Sequence, residues 1–186
     1  LLNNDAMFAP DAVRRLVDLA AAGDIVLPSG EVVSVSRIRS LGSLLGSDDG
    51  CQSLWALLAK DPATNAFRYD LADALPFGCR NPLYYFIHES CYADGHATNW
   101  SAERVEPDDF KQDPTLLTGE HVRREWAETV PAFQPWADVV DRIAAVEWPR
   151  LYDEAALEAS GAKGAAAVYY NDLYVPVEYS LETAAL

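Results

Sequence analysis

A histidine and a glutamate stand side by side in an aromatic stretch, NPLYYFIHESCYADG (81–95), with Tyr85 and Tyr92 on either side. His88-Glu89-Ser90-Cys91-Tyr92 begins like the zinc-protease pattern H-E-x-x-H, but Tyr92 stands where the second histidine would be. His96 and His121 keep no ligand spacing to this helix, so no metal is expected. Read as a helix, the stretch puts 85, 89 and 92 on one stripe, with Leu83, Phe86, Ile87 and Ser90 on an adjacent side expected to face the core. Glu89 is then expected between two phenols at the edge of an apolar face. A carboxylate so placed can accept a proton, hold a cation, or be a glutamate satisfied by a tyrosine or a backbone group. The residues by themselves leave these three open.

The element that must carry this pair has clear limits. Asn81 suits an N-cap, Pro82 a first helical residue, and Gly95 a stop. Upstream, helices are expected over 10–22 (Val13, Leu16, Val17 and Ala20 at helical spacing, Gly23 as the stop), 36–45, 51–59 and from Asp61-Pro62 to about Ala74. LPSGEVV (27–33) reads as a turn with a short extended arm. Downstream, 101–105 reads as a helical turn, 106–119 as a loop, and 120–128, 135–146 and 154–159 as helices. AAAVYY (165–170), bounded by Gly164 and Asn171-Asp172, reads as a buried strand, and a helical pattern follows Pro176. A lone strand leaves its backbone groups without partners, so a sheet outside the chain is expected.

Composition narrows the function. Of 186 residues half are hydrophobic, enough for a folded core. The net charge of −15 argues against nucleic acid, whose binding needs clustered Lys and Arg. It suits a cationic ligand such as a free amine, or simply an acidic soluble surface. Cys51, Cys79 and Cys91 lie far apart, which indicates neither a zinc knuckle nor a disulfide framework and suits a reducing compartment. With no charged-then-apolar leader and no apolar run long enough for a bilayer, a cytoplasmic protein without membrane contact is expected. The chain opens without Met, and is expected to be part of a longer protein or a trimmed one.

NPLYYFIHESCYADG followed by ATNWSAERV (97–105) resembles the cap region of the prolyl aminopeptidases (proline iminopeptidases), serine peptidases of the α/β-hydrolase fold. LPSGEVVSVSRIRSLGSLLG (27–46), LTGEHV (117–122), WPRLYD (148–153) and AAAVYYNDLYVPVEYSLETA (165–184) match in order. The resemblance implies a mainly α fold: a helical cap over 1–160 for substrate recognition, then a strand-turn-helix segment, 161–186, of an incomplete hydrolase core. It implies that Asp172, at the end of YYND, is the triad acid that orients the catalytic imidazole. It also implies that Glu89 and Glu120 recognise a free N-terminal amine, while Tyr85, Tyr92 and Trp100 wall a slot for a proline ring. His88 is read as structural. No cofactor is implied. The implied partners are a peptide with a free N-terminal proline and the remainder of the α/β-hydrolase domain.

The chain departs from the family pattern by absence. It has no G-x-S-x-G and no histidine after His121, so it is expected to be inactive alone. The competing reading is a stand-alone helical module that binds an amine or peptide without catalysis, which the unpaired strand disfavours. An unrelated helical hydrolase is disfavoured too, because no serine has a nucleophile elbow or a nearby histidine pattern.

Overall fold

A computed structural model describes residues 11–78 and 81–185, and over these the chain is mainly helical. Expectations that rest on Pro10 and Cys79 lie outside the described residues. The helices are α1 (Ala12–Ala22), α2 (Val35–Arg39), α3 (Gly50–Leu58), α4 (Asn65–Ala74), α5 (Pro82–His88), α6 (Ser101–Arg104), α7 (Asp108–Gln112), α8 (Trp126–Thr129), α9 (Ala137–Ala144), α10 (Glu154–Ala159) and α11 (Val177–Ala184). Among the described residues no helix is long and apolar enough to cross a membrane.

Local chemistry explains most boundaries. α1 buries Leu16, Val17 and Ala20 and ends on Gly23, whose φ of 76° is the left-handed conformation that glycine adopts without strain. Ser34 and Thr64 cap α2 and α4 by accepting from the N–H groups of Arg37 and Phe67. The 27–33 turn closes with one antiparallel bridge, Val26 to Val32.

Three expectations need correction. The helix expected over 36–45 is α for one turn only and continues as a 3-10 helix, Ser40–Gly46, which winds against the 117–118 backbone. The helix expected over 120–128 forms only at α8 (Trp126–Thr129). The carbonyls of Glu120 and Arg123 are taken by the hydroxyls of Tyr92 (2.7 Å) and Tyr85 (2.9 Å). Finally, 165–170 forms no strand and is exposed. Strand pairing needs a neighbouring strand, and none stands beside it among the described residues.

Two apolar clusters hold the fold. The first packs α1 to α4 through Leu16, Ile25, Val33, Ile38, Leu54, Phe67 and Leu71. The second is aromatic and gathers Tyr85, Phe86, Trp126, Phe133 and Val140 around α5, α8 and α9. Buried arginines join them. Arg37 donates to Glu31 (2.8 Å) and to the Pro76 carbonyl (2.6 Å), and its guanidinium lies 5.0 Å from the Trp126 ring centroid. Arg39 donates to the Phe110 and Leu116 carbonyls and pairs with Glu106, which Arg123 also clamps. These hydrogen bonds tie the long 106–119 loop to α2. Removing one partner of a buried pair strands the other charge, so Glu31→Gln is expected to cost about 3 kcal/mol of stability. Denaturant unfolding of the two proteins checks this; equal midpoints would deny the pair a structural role.

The C-terminal part is loosely attached. Leu151 N–H donates to Asp94 Oδ1 (2.7 Å), and the Tyr174 hydroxyl donates to the Ser43 carbonyl (2.6 Å). The Tyr174 ring lies flat against Gly46, where an added Cβ would overlap it. Beyond these, Leu157, Val168, Tyr169, Tyr170, Leu173 and Tyr179 are exposed.

Candidate functional site

α5 begins after Asn81, with Pro82 in its first turn, and the chain then tightens into a 3-10 helix at Glu89–Tyr92. The change of pitch affects only the residues from Glu89 on. The buried face is Tyr85, Phe86, His88 and Glu89; Leu83 and Ile87, expected in the core, are exposed. The i, i+1, i+3, i+4 set is the one that meets the aromatic cluster, because α9 and Phe133 lie on that side. Tyr85 is only 1 % exposed, and its ring stacks on Phe133 with centroids 4.2 Å apart. Burial pushes its pKa up, so the hydroxyl remains a donor to the Arg123 carbonyl.

Glu89 is 3 % exposed. It was expected between two phenols, but neither Tyr85 nor Tyr92 bonds to its carboxylate. Its partner is Ser101, whose backbone N–H donates to Oε2 (3.2 Å) and whose hydroxyl donates to Oε1 (3.4 Å). The two residues before Ser101 are both left-handed, Asn99 with φ 47° and Trp100 with φ 60°. A bulky Trp in this region is strained, and such strain persists only where the surroundings over-determine it. The Trp100 indole N–H donates to Asp141 Oδ1 (3.2 Å) and holds the turn, so that the first N–H of α6 points at Glu89.

The electrostatic setting of Glu89 differs from that of buried Glu31 and half-buried Glu106. Glu31 pairs with Arg37, and Glu106 with Arg39 and Arg123. Among the described residues no Lys or Arg pairs with Glu89 or Glu120. With two donors and no cation among the described residues, the charge of Glu89 is only partly offset by them. Its remaining acceptor positions suit an ammonium group.

Glu120 is half-buried, in the loop that faces α5. Its carboxylate Oε1 accepts from the Tyr84 hydroxyl (2.7 Å), and its carbonyl accepts from Tyr92 (2.7 Å), with His88 Nε2 at 3.3 Å. The bond to Glu120 pushes the Tyr84 pKa up to about 12. Burial, then the charges of Glu120 and Glu89, push the Tyr92 pKa up as well. His121 reaches this group through a 3.3 Å contact of Nδ1 with the Tyr92 hydroxyl. Thus Tyr92 is joined to Glu120 by a hydrogen bond, Glu89 precedes Tyr92 on the same 3-10 turn without bonding to it, Trp100 adjoins the Ser101 that holds Glu89, and Tyr85 lies in the core. Tyr84 was missed in the sequence; its signal is the four-residue spacing 84, 88, 92 opposite Glu120.

Asp172 stands apart. It is half-buried, and its Oδ1 accepts from the N–H groups of Tyr174 (2.8 Å) and Val175 (3.1 Å), folding the turn before Pro176 and α11. Oδ2 takes no hydrogen bond from the described residues. No contact joins Asp172 to Glu89 or Glu120. A cleft of about 510 Å³ opens elsewhere, between the 27–31 turn, α4 and Tyr84, and Glu89 does not line it. Among the described residues no three His, Cys, Asp or Glu side chains gather as metal ligands; Cys51 and Cys91 are free thiols.

Comparison with known proteins adds a relationship. No family model matches the chain. The chain is 30 % identical over 200 aligned residues to a proline iminopeptidase of Aeromonas sobria, covering 97 % of this chain and 46 % of that protein. It is 23 % identical over 190 residues to the proline iminopeptidase aneH of Aspergillus aculeatus, covering 93 % of this chain and 41 % of that one. The chain therefore spans less than half the length of these curated relatives.

Proposed function

We propose, from the chain's relationship to the proline iminopeptidases, that it is the substrate-recognition part of a serine aminopeptidase that removes N-terminal proline from peptides. The observation that carries this reading is Glu89: a carboxylate 3 % exposed, supported by Ser101 and without a cationic partner among the described residues. A protonated N-terminus supplies a positive charge to this carboxylate, and a charge-assisted bond in a water-poor site gives both affinity and register. Glu120, bonded to Tyr84 and Tyr92 of the helical stretch that carries Glu89, is the second amine ligand. Tyr92 and Trp100 flank the site and offer ring faces to a pyrrolidine.

Asp172 is the triad acid in this reading. Its Oδ1 holds the turn, and Oδ2 accepts from a catalytic imidazole; the hydrolase part supplies that imidazole and the serine nucleophile, whose hydroxyl donates to it. Acyl transfer then proceeds through a seryl intermediate. The exposed Val168, Tyr169, Tyr170 and Leu173 before and beyond Asp172 are the surface that the remainder of the α/β-hydrolase domain covers. The chain alone is inactive in this account, because it brings no G-x-S-x-G.

The test compares prolyl anilide with N-acetylprolyl anilide in the full-length protein. Acetylation removes the charge that the carboxylates bind, so the acetylated substrate is expected to react at least about 10³-fold more slowly. Equal rates would refute recognition of a free amine.

A further inference from the structure

Three side chains of one helical stretch converge on a single residue of the facing loop. Tyr84, His88 and Tyr92 follow at four-residue spacing, and each has a polar atom on Glu120. The Tyr84 hydroxyl donates to the carboxylate (2.7 Å); the Tyr92 hydroxyl donates to the carbonyl (2.7 Å); His88 Nε2 lies 3.0 Å from the Tyr92 oxygen and 3.3 Å from the same carbonyl. We infer that this stripe is a positioning device which fixes both the backbone and the carboxylate of Glu120, making Tyr84 a specificity-determining residue for amine-bearing substrates. The inference rests on the reading of Glu120 as an amine ligand.

The tautomer of His88 follows from its surroundings. The ring is buried and enclosed edge-on by Phe77 (centroids 4.7 Å apart) and Tyr84 (5.1 Å), and Nδ1 is buried without a partner among the described residues. An orphaned N–H costs more than an orphaned lone pair, which assigns the proton to Nε2. His88 then donates to the Tyr92 oxygen, and Tyr92 spends its single proton on the Glu120 carbonyl. The chain of donors runs in one direction and ends on Glu120. Its backbone is thereby held from one side, and among the described residues the carboxylate is aimed by Tyr84.

Glutamate has three side-chain torsions, and a free one spreads its charge over many positions. The Tyr84 bond selects one of them before substrate arrives, so the amine meets a prealigned oxygen. Oε1 is occupied by Tyr84, which leaves Oε2 as the atom for the ligand. Tyr84 is 37 % exposed, so losing its hydroxyl leaves no cavity and no buried orphan. Its removal acts on Glu120 and not on the core.

The experiment is a double-mutant cycle in the full-length protein with prolyl anilide, reading KM and kcat separately. Tyr84→Phe is expected to raise KM about tenfold, the effect of one hydrogen bond to a charged group, with kcat and melting temperature unchanged. Glu120→Ala raises KM further, and adding Tyr84→Phe to it changes nothing more, because Tyr84 acts through Glu120. If Tyr84→Phe leaves KM unchanged while Glu120→Ala raises it, the positioning role fails and amine binding by Glu120 stands. An equal Tyr84→Phe effect in both backgrounds also overturns it, since Tyr84 then acts elsewhere. An unchanged KM in Glu120→Ala removes the amine-ligand reading itself.

Discussion

Replacing Asp172 by Asn in the full-length protein is expected to lower kcat about 10⁴-fold, with KM changed less than threefold. The substitution is unusually clean at this position. Asn keeps an Oδ1 that can accept from Tyr174 and Val175, so the turn into α11 is preserved. What changes is Oδ2, where a carboxylate oxygen becomes an NH₂ donor. An imidazole facing that atom would be driven to the wrong tautomer and would lose the charge that stabilises its protonated form. A turnover loss with an unaltered melting temperature therefore separates a catalytic acid from a turn-capping residue. A variant with wild-type kcat would leave Asp172 only the second role, which its hydrogen bonds already account for.

The second large effect concerns Glu89. Glu89→Gln is expected to lower kcat/KM for prolyl anilide about 100-fold, the loss of one charge-assisted contact. Stability is expected to stay level or rise. In the free protein the carboxylate is buried with two donors from Ser101 and no cation among the described residues, so neutralising it relieves a desolvation cost. Gln retains an acceptor for the Ser101 N–H. A purely structural glutamate would give the opposite pattern: a lower melting temperature and unchanged kinetics. Kinetics and thermal unfolding of the same variant thus read the two roles independently, and a stability gain bought with lost recognition is the usual mark of a functional site.

The strained turn beside Glu89 fits the same account. Asn99 and Trp100 both take positive φ, and the Trp100 indole is anchored on Asp141, which Arg124 also grips through two bonds of 2.9 and 2.8 Å. The Arg124 guanidinium, together with the Trp100 N–H, holds the Asp141 carboxyl below the usual carboxylate range. A network outside the site thereby holds Ser101 in place, and Ser101 holds Glu89.

Much of the architecture was legible from periodicity and punctuation. α1, α3, α4, α5 and α9 fall close to where apolar spacing, Gly23 and the Asn81-Pro82 start put them, because a helix depends on neighbours within one or two turns. His88-Glu89 stood out for the same reason, being adjacent polar residues in an aromatic helix. The sequence by itself thus determined a helical chain with an acidic, aromatic stretch near its middle. Only the tertiary structure decided what that stretch touches. The aromatic cluster and α9 decided which face of α5 is buried, so Tyr85 and Phe86 point inward while Leu83 and Ile87 are exposed. Glu89 found Ser101, and Tyr84 found Glu120, across loops whose conformation no local pattern encodes. AAAVYY reads as a strand but cannot become one without a neighbour, because β-pairing, unlike a helix, takes its hydrogen bonds from another part of a fold.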